Sequence, residues 1–428
     1  MDILTDVFKQ IDNDWEEEVK FLQKLGSFQS VLGKEAPIQD FLATTFSDMK
    51  LETDSFIPDI KILSVHPAFS SVEWSYDDRP IVVGKWNSSG PKIGKSLILQ
   101  GHIDVVSPEP TRLWDYDPWG STIVGNKMYG RGICDMKSGV AAMIYAVKAI
   151  KKLGIELGAD LTLQSVHEEE CTGNGALATL LRGYKADGGL IPEPFGPRAL
   201  LSQVGVIWMR VTVSGSGAHV MSANKAVNAI EKAYTLIEAL QIYRDKINYE
   251  QPKHADFEDV DHPLNVNIGK IKAGDWTSTV PSECTFEVRI GLYPGQNPQD
   301  IKDEAEKYLL KAAKSDPWLS DFPPEITFYG FHAHGVSLNK EQEIFSYLEE
   351  AHNKIYKDKM EYLSTTATTD IRHYNLLYDI PTTCYGPTGG NMHAPNEWID
   401  LSSVKECTKV YAAFILSWCG IRNRVDAF

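Results

Sequence analysis

The chain has 428 residues, of which 43% are apolar and 23% are charged. This composition is typical of a folded globular protein of two or three domains, and it excludes a disordered chain and a single small binding module. The formal net charge of −16 disfavours nucleic acid and anionic membranes as partners, because an acidic surface repels phosphate groups.

Apolar strands alternate with amphipathic helices in the first half of the chain. After an opening helix at residues 14–25, the pattern predicts a strand at 96–101, a helix at 139–153, a strand at 159–166, a helix at 175–181 and a strand at 188–191. This alternation predicts an α/β fold with a mainly parallel sheet and helices on both faces. Ligands bind such sheets beyond the carboxyl ends of the strands.

The middle of the chain has a different order of elements. A strand at 206–213 is followed by a helix at 226–243, strands at 265–271 and 283–290, a helix at 298–313 and a strand at 325–331. Asn297 before Pro298 is typical of a helix start. The order β-α-β-β-α-β predicts a ferredoxin-like α+β unit. We expect residues 205–331 to form an inserted lid and dimerisation domain, and residues 1–204 and 332–428 to form the discontinuous catalytic domain.

The sequence favours a cytoplasmic protein. No stretch approaches about 18 consecutive apolar residues, and the acidic start lacks the basic and apolar regions of a signal peptide. The six cysteines are scattered without a CxxC pair, which is typical of a reducing compartment.

Side chains that bind metals follow the predicted strands or lie in glycine-rich loops. They are His102, Asp104, Asp135, Glu168, Glu169, Glu170, Glu193 and His393. Imidazoles and carboxylates without thiolates favour a hydrolytic zinc, manganese or cobalt site over a structural zinc site. Several of these residues also have an ordinary interpretation: Asp135 as a helix N-cap, Glu168 to Glu170 as a solvated charge run, and His102 as a histidine paired with Asp104.

Five segments carry a family resemblance when they are taken together. In chain order they read GHIDVV, GRGICDMKSG, EEECTGNGA, IPEP and GGNMHAPNE. With the inserted domain, they resemble the di-metal amidohydrolase and peptidase family that includes acetylornithine deacetylase, succinyl-diaminopimelate desuccinylase, aminoacylase-1 and carboxypeptidase G. The resemblance covers nearly the whole chain. It implies two divalent metal ions, with zinc expected first and cobalt or manganese as alternatives.

The resemblance also implies a role for each site residue. His102 and Glu193 would bind the first metal, Glu170 and His393 the second, and Asp135 both, while Asp104 orients His102 and Glu169 acts as general base. A cis peptide bond is implied after Asp135. Because three glutamates are adjacent, a register one residue earlier, with Glu168 as the base, stays open.

In the predicted insert, the segment SGSGAH resembles the family segment whose histidine contacts the substrate oxyanion, often in the site of the partner subunit. That residue is His219, and the resemblance implies a homodimer formed through the insert. The residues implied to bind substrate are Arg289, Arg372, Ser278 and Gly389. Ser278 stands where the family commonly has an asparagine, so substrate recognition follows the family less closely than metal binding does.

The resemblance implies a metal-dependent hydrolase that cleaves the amide bond of an N-acyl amino acid or a related small carboxylated amide by means of a metal-activated water. A dipeptidase or carboxypeptidase with the same centre is one alternative. A deformylase or amidohydrolase of an aromatic metabolite is another, since tryptophans such as Trp208 permit stacking, although tryptophan is more typical of a core or an interface. A non-catalytic binding protein is a further alternative, disfavoured because the chain keeps every ligand and the base.

Overall fold

The computed structural model describes residues 3–424. Its α-helices are α1 (Ile3–Ser27), α2 (Ala36–Asp48), α3 (Ile60–Leu63), α4 (Ser138–Lys152), α5 (Asn174–Leu181), α6 (Ala229–Tyr249), α7 (Pro298–Ala313), α8 (Pro317–Asp321), α9 (Glu343–Asn353), α10 (Ile371–Leu377) and α11 (Leu401–Cys419). Within the described part of the chain, none of these helices combines the length and the apolar character needed to cross a bilayer.

The strands of the same residues form several sheets. They are β1 (Glu52–Phe56), β2 (Ile81–Trp86), β3 (Leu97–His102), β4 (Thr122–Val124), β5 (Lys127–Tyr129), β6 (Ile155–Leu157), β7 (Leu161–Val166), β8 (Gly188–Ile191), β9 (Arg198–Gln203), β10 (Gly205–Ser214), β11 (Ala218–His219), β12 (Val266–Ala273), β13 (Thr279–Val280), β14 (Glu283–Leu292), β15 (Glu325–Ala333), β16 (Val336–Ser337), β17 (Glu361–Thr365), β18 (Thr382–Cys384), β19 (Gly389–Gly390), β20 (Trp398–Asp400) and β21 (Ile421–Arg424).

The largest sheet has the strand order β1-β2-β7-β3-β8-β18. Strands β7, β3, β8 and β18 are mutually parallel, and β2 runs antiparallel to both β7 and β1. The predicted α/β class with a mainly parallel sheet is therefore confirmed. The edge strand β1 and its neighbour β2 were not predicted; β1 reads ETDSF and lacks a clear apolar pattern.

Both faces of this sheet are covered. On β2, Val82 belongs to the large core cluster that includes α4 and α11, whereas Ile81 and Val83 belong to a smaller cluster with Leu177 of α5. Successive side chains of a strand point to opposite faces, so the two clusters lie on opposite sides of the sheet. Helix α4 is buried over almost its whole surface, which explains its nearly continuous apolar sequence.

A second, fully antiparallel sheet has the order β12-β14-β10-β15. Its strands and the helices α6 and α7 follow the predicted β-α-β-β-α-β order, and they enclose a separate apolar cluster. Helix α7 has the predicted bounds, and the Asn297 side chain accepts a hydrogen bond from the Gln299 amide. Helix α6 begins three residues later than predicted because Asn228 caps it. The domain limits 205 and 331 stay predictions.

A buried glutamate joins the first and last long helices. Glu18 of α1 accepts a hydrogen bond of 2.6 Å from the Thr408 hydroxyl of α11, while its Oε2 has no hydrogen-bond partner among the described residues. Burial, opposed by this hydrogen bond, raises the pKa of Glu18 from 4.5 to about 8. The side chain is therefore protonated in the folded protein at neutral pH.

This protonation predicts a pH-dependent stability. Between pH 4.5 and about 8 the folded state binds one more proton at Glu18 than the unfolded state, so the free energy of unfolding falls as pH rises through that window and levels off above it. Glu18→Gln should thus leave stability nearly unchanged at pH 4.5. At pH 8.5 it should raise stability by at most about 5 kcal/mol, since one pKa unit is worth about 1.4 kcal/mol. Thermal or urea unfolding at both pH values measures this difference.

The matched control is Glu16→Gln on the exposed face of the same helix. It removes the same charge from α1 without a burial cost and should change stability little at either pH. A Glu18→Gln effect that is equal at pH 4.5 and pH 8.5 would contradict the assignment.

Candidate metal centre

The candidate site lies where the central strands of the large sheet end. His102 is the last residue of β3, Glu169 and Glu170 follow β7, and Glu193 follows β8. These three strands are parallel neighbours, so their carboxyl ends meet at one edge. Asp135 reaches the same place from an irregular turn, Ile133–Lys137, that leads into α4.

His102 lies at the centre of the first group of ligands. Its Nε2 atom is 3.2 Å from Asp135 Oδ1, 3.7 Å from Glu193 Oε1 and 3.8 Å from Glu169 Oε2. The imidazole is fully buried, and the peptide bond after Asp135 is cis. Three carboxylates thus surround one imidazole nitrogen.

His393 forms the second group with the other oxygen of Asp135. Its Nε2 atom lies 3.5 Å from Asp135 Oδ2 and 3.0 Å from Glu170 Oε2. The residue comes from the loop after β19 and has a positive φ of 61°. Asp135 therefore has one carboxylate oxygen in each group, the arrangement that a carboxylate bridging two cations requires.

The charges in this site strongly perturb one another. Burial and the neighbouring Glu193 carboxylate raise the pKa of Glu169 well above its usual range, against the opposing charge of His102. Burial and the Asp135 charge likewise raise the pKa of Glu193 well above its usual range. For Asp135, hydrogen bonds with His102 and His393 outweigh burial and lower the pKa. The Glu170 carboxylate raises the pKa of His393 to about 11.

These residues fit a pair of divalent cations. Glu193 Oε1 is buried and accepts no hydrogen bond from any residue of the described chain, so it has an unused lone pair directed into the site. The residues within ligand reach of one another offer oxygen and imidazole nitrogen atoms, which zinc, cobalt and manganese accept. Cations would also relieve the repulsion among the four carboxylates.

Asp104 contacts His102 at the end of β3 and the loop that follows β7. His102 Nδ1 lies 3.0 Å from the Asp104 backbone carbonyl, whereas the nearest carboxylate oxygen of Asp104 is 3.7 Å away. The Asp104 carboxylate instead accepts hydrogen bonds from the backbone amides of Glu169 and Glu170, at 3.3 and 3.2 Å. Asp104 therefore orients the histidine mainly through its backbone and fixes the glutamate loop through its side chain.

Glu168 points away from the cation groups. Its two oxygens accept hydrogen bonds from the side chains of Trp74, Tyr76, Arg79 and Thr172, at 2.6 to 2.8 Å. Arg79 also forms a buried bidentate pair with Glu35. A carboxylate with this many partners is not free to accept a proton from a water in the cavity. Of the two registers, this geometry favours Glu169.

Segment 70–79, which carries these partners, also contacts the antiparallel sheet. Ser71 accepts a backbone hydrogen bond of 2.7 Å from Gly330 of β15, and Glu73 forms a bidentate ion pair with Arg210 of β10 at 2.7 and 2.8 Å. Segment 70–79 thus contacts both the antiparallel sheet and the side chain of Glu168, the residue before Glu169.

Glu397 is a buried residue that sequence reasoning missed. Its carboxylate accepts hydrogen bonds from the backbone amides of Gly132, Cys134 and Asp135 at 2.9 to 3.1 Å, and from Arg131 at 2.5 Å. It holds the turn that presents Asp135. The only sequence signal is its place in the segment GGNMHAPNE, four residues after His393.

A cavity of about 820 Å³ opens from the site toward the antiparallel sheet. Its lining includes Asp135, Glu169, Glu170, Glu193 and His393 on one side and Trp208, Arg289, Tyr329 and Phe331 on the other. Arg289 donates from Nη2 to the Thr366 carbonyl at 2.8 Å, and its Nη1 has no partner among the described residues. The cavity is thus lined by the carboxylate groups on one side and by a guanidinium with an unpaired, buried nitrogen on the other.

Of the five residues predicted to contact substrate, four do not line this cavity. His219 is exposed and its Nδ1 accepts a hydrogen bond from the Met221 amide, while Ser278 accepts one from the Val220 amide through its carbonyl. Arg372 is buried and donates to the Thr369 and Thr172 carbonyls. Gly389 is packed against Cys134, whose sulfur would lie 2.4 Å from an added Cβ. Their roles toward substrate stay predictions.

Comparison with known proteins is consistent with this arrangement. Residues 98–417 match the model of peptidase family M20/M25/M40. Two curated relatives, from Halalkalibacterium halodurans and Bacillus subtilis strain 168, are N-formyl-4-amino-5-aminomethyl-2-methylpyrimidine deformylases. They are 27% identical over 370 residues and 29% identical over 377 residues, covering 81% and 82% of this chain and 85% and 86% of the relatives.

Solved structures share the fold. Human carnosine dipeptidase 1 superposes with a TM-score of 0.78 at 17% identity, covering 97% of this chain and 99% of that one. The di-peptidase Dug1p from Saccharomyces cerevisiae gives 0.79 at 16% identity, covering 98% and 99%. The Bacillus subtilis YXEP protein, a dinuclear metal-binding peptidase of the M20 family, gives 0.60 at 13% identity, covering 95% and 98%.

Proposed function

Because the chain belongs to peptidase family M20/M25/M40 and is a hydrolase of amide bonds, we propose that it hydrolyses a small N-acyl amide whose amine half carries a carboxylate. One observation carries this proposal: the cavity that contains the carboxylate groups is also lined by Arg289, whose buried Nη1 has no hydrogen-bond partner among the described residues. A guanidinium pairs a carboxylate bidentately, and this fixes orientation as well as adding affinity. An N-acyl amino acid has the matching chemistry.

We assign two cation positions to the site residues. His102, Asp135 and Glu193 would hold one ion, and Asp135, Glu170 and His393 the other, with zinc as the first expectation and cobalt or manganese as alternatives. Such a pair would supply Lewis acidity that polarises the acyl oxygen and makes water acidic enough to react near neutral pH.

Glu169 does the proton transfer in this proposal. Its burial in the cavity wall, 3.8 Å from His102 Nε2, suits a group that accepts a proton from the attacking water and then gives it to the leaving nitrogen. The Asp104 carboxylate, bonded to the Glu169 amide, would hold the loop in position while the proton moves. His219 would donate to the developing oxyanion.

A second candidate function is deformylation of a ring-bearing amine. The curated relatives at 27% and 29% identity, both pyrimidine deformylases, favour it. The same centre would then cleave a formyl amide, and Arg289 would not need to bind a carboxylate. Dipeptide or carboxypeptide hydrolysis is a further alternative, in line with the dipeptidase structures of the same fold.

We further propose a homodimer in the cytoplasm. The segment that carries His219 exposes Val220 and Met221, the latter 83% accessible, and such apolar exposure is typical of a surface that another protein covers. A dimer through this region would bring His219 to the partner's cavity. The six cysteines are all buried and unpaired, which suits a reducing compartment.

Glu169→Gln should abolish most turnover while the protein still binds both metals. Loss of the proton acceptor should lower kcat by a factor of about 10² to 10⁴. The glutamine side chain has the same shape as glutamate, so the ligands His102 and Asp135 should stay in place. Steady-state kinetics and metal content by mass spectrometry measure the two effects. Near-normal turnover with full metal content would refute the assignment.

Glu168→Gln is the matched control for the register. It breaks the buried contact with Arg79 and should lower the free energy of unfolding by about 3 kcal/mol, while the folded fraction keeps the pH dependence of turnover. If the pH profile of turnover changes in Glu168→Gln and stays unchanged in Glu169→Gln, Glu168 and not Glu169 is the general base.

A substrate panel tests the proposed function. Metal-free protein reconstituted with zinc, cobalt or manganese should hydrolyse N-acetyl amino acids better than N-formyl amines without a carboxylate, N-succinyl and N-carbamoyl compounds or dipeptides. Arg289→Met should raise KM for N-acetyl amino acids about tenfold and leave KM for uncharged amides nearly unchanged, because only the former lose an ion pair. A preference for the uncharged formyl amines would establish the second candidate instead.

Mixed dimers test whether His219 acts on the partner's site. Glu169→Gln and His219→Ala proteins, each nearly inactive, should regain activity when unfolded and refolded together, since a mixed dimer contains one site with an intact base and an intact histidine from the other subunit. If His219 acts within its own subunit, no mixed site is complete and activity stays low. Light scattering that finds only monomer at micromolar concentration would contradict the dimer.

A further inference from the structure

Three aromatic side chains form one wall of the cavity on the antiparallel sheet. They are Trp208 of β10 and Tyr329 and Phe331 of β15. We refer to them as the aromatic wall. Tyr329 and Phe331 are largely buried at 7% and 6% exposure, and Trp208 is partly exposed. The wall faces the same cavity as Glu169 and His393.

A bulge in β15 creates this wall. Ile207 pairs with His332 and Met209 pairs with Phe328, so Trp208 alone on β10 lies opposite Tyr329, Gly330 and Phe331 on β15. Such bulges redirect side chains and occur next to active sites.

Gly330 makes the bulge possible. It has a φ of +60°, and a Cβ at this position would lie 2.4 Å from Cε3 of Trp208. The indole therefore lies directly against the glycine backbone, and any larger residue would displace it. The Gly330 amide, which the bulge frees from the ladder, donates to the Ser71 carbonyl at 2.7 Å.

The rings are held in place by one another and by two arginines that do not line the cavity. Trp208 and Phe331 meet edge to face at 5.3 Å and 88°, and Trp208 and Tyr329 are 5.7 Å apart. The Arg210 guanidinium lies 4.3 Å from the Tyr329 ring, and that of Arg372 lies 5.5 Å from the Phe331 ring. Rings fixed in this way lose little conformational entropy when a ligand binds.

Trp208 is also the direct cross-strand partner of Arg289 on β14. Paired residues of antiparallel strands present their side chains on the same face, with Cβ atoms about 5 Å apart. A ligand group that contacts the indole is therefore next to the group that contacts the guanidinium. If Arg289 binds the carboxylate, the group against Trp208 belongs to the same half of the substrate.

We propose that the aromatic wall binds a planar aromatic or heteroaromatic ring on the amine half of the substrate, next to the carboxylate that Arg289 binds. The substrate class is thereby narrowed to N-acyl derivatives of aromatic amino acids. This inference rests on the proposed amide hydrolysis. Its physical basis is edge-to-face or offset stacking, which is worth about 0.5 to 1.5 kcal/mol beyond the area buried.

The test compares N-acetylphenylalanine with N-acetylleucine, which share the acyl group and the carboxylate. The metal-reconstituted full-length protein should prefer the phenylalanine compound by about tenfold in kcat/KM. Trp208→Leu should reduce this ratio severalfold, and Trp208→Phe should keep most of it. Tyr234→Leu, which changes an aromatic residue 63% exposed on α6, should leave the ratio unchanged.

Two outcomes would overturn the inference: equal kcat/KM for the two compounds, or a Trp208→Leu variant that slows both equally. If the wild-type protein hydrolyses neither compound, the proposed function fails, and the ring site is judged by binding alone. Calorimetry with the Glu169→Gln protein then compares the two compounds. A Kd that is lower for N-acetylphenylalanine and that loses this advantage in the Trp208→Leu background supports the ring site, and equal Kd values refute it.

Discussion

Electrostatic repulsion among buried carboxylates is the constraint on which the rest of the site depends. Asp135, Glu169, Glu170 and Glu193 converge on His102 and His393, and most of these side chains are shielded from solvent, so their repulsion is weakly screened and requires a rigid frame; bound cations would relieve it. The frame is built from other acidic residues. Asp104 holds the glutamate loop, Glu397 holds the turn of Asp135, and Glu168 is neutralised by Arg79. The acidic residues near the site thus divide into those that face the cavity and those that bind backbone amides or side chains behind it.

The cavity lies between two sheets of different construction, and each contributes residues to its lining. The mainly parallel sheet brings strand ends together, so residues far apart in sequence can meet at one edge. The antiparallel sheet contributes one broad face, on which alternate side chains of neighbouring strands stand side by side. The proposed catalytic groups therefore lie on the first sheet and the proposed recognition groups on the second, so a substitution in one set leaves the backbone of the other in place.

The sequence predicts the α/β class and the strand ends well, because both follow from local apolar patterns. It also places His102, Glu169 and Glu193 after adjacent strands. Contacts across long sequence separations leave no such local signal: Glu397 lies 262 residues from the Asp135 amide that it binds. The bulge at Gly330 could not be predicted from the sequence for the same reason. A glycine within a strand pattern does not show that Trp208, far away in the sequence, packs against it.

Segment 70–79 has a mechanical consequence for the movement of the antiparallel sheet. Its hydrogen bond to Gly330 and its ion pair with Arg210 attach that sheet to a strap whose other contacts reach Glu168, one residue before Glu169. A rotation of the sheet must either carry the strap along or break the ion pair, which is the more solvent-exposed of these attachments. The ion pair is thus the weakest of these attachments, and after it breaks the hydrogen bond between the Gly330 amide and the Ser71 carbonyl still connects the sheet to the segment that contacts Glu168.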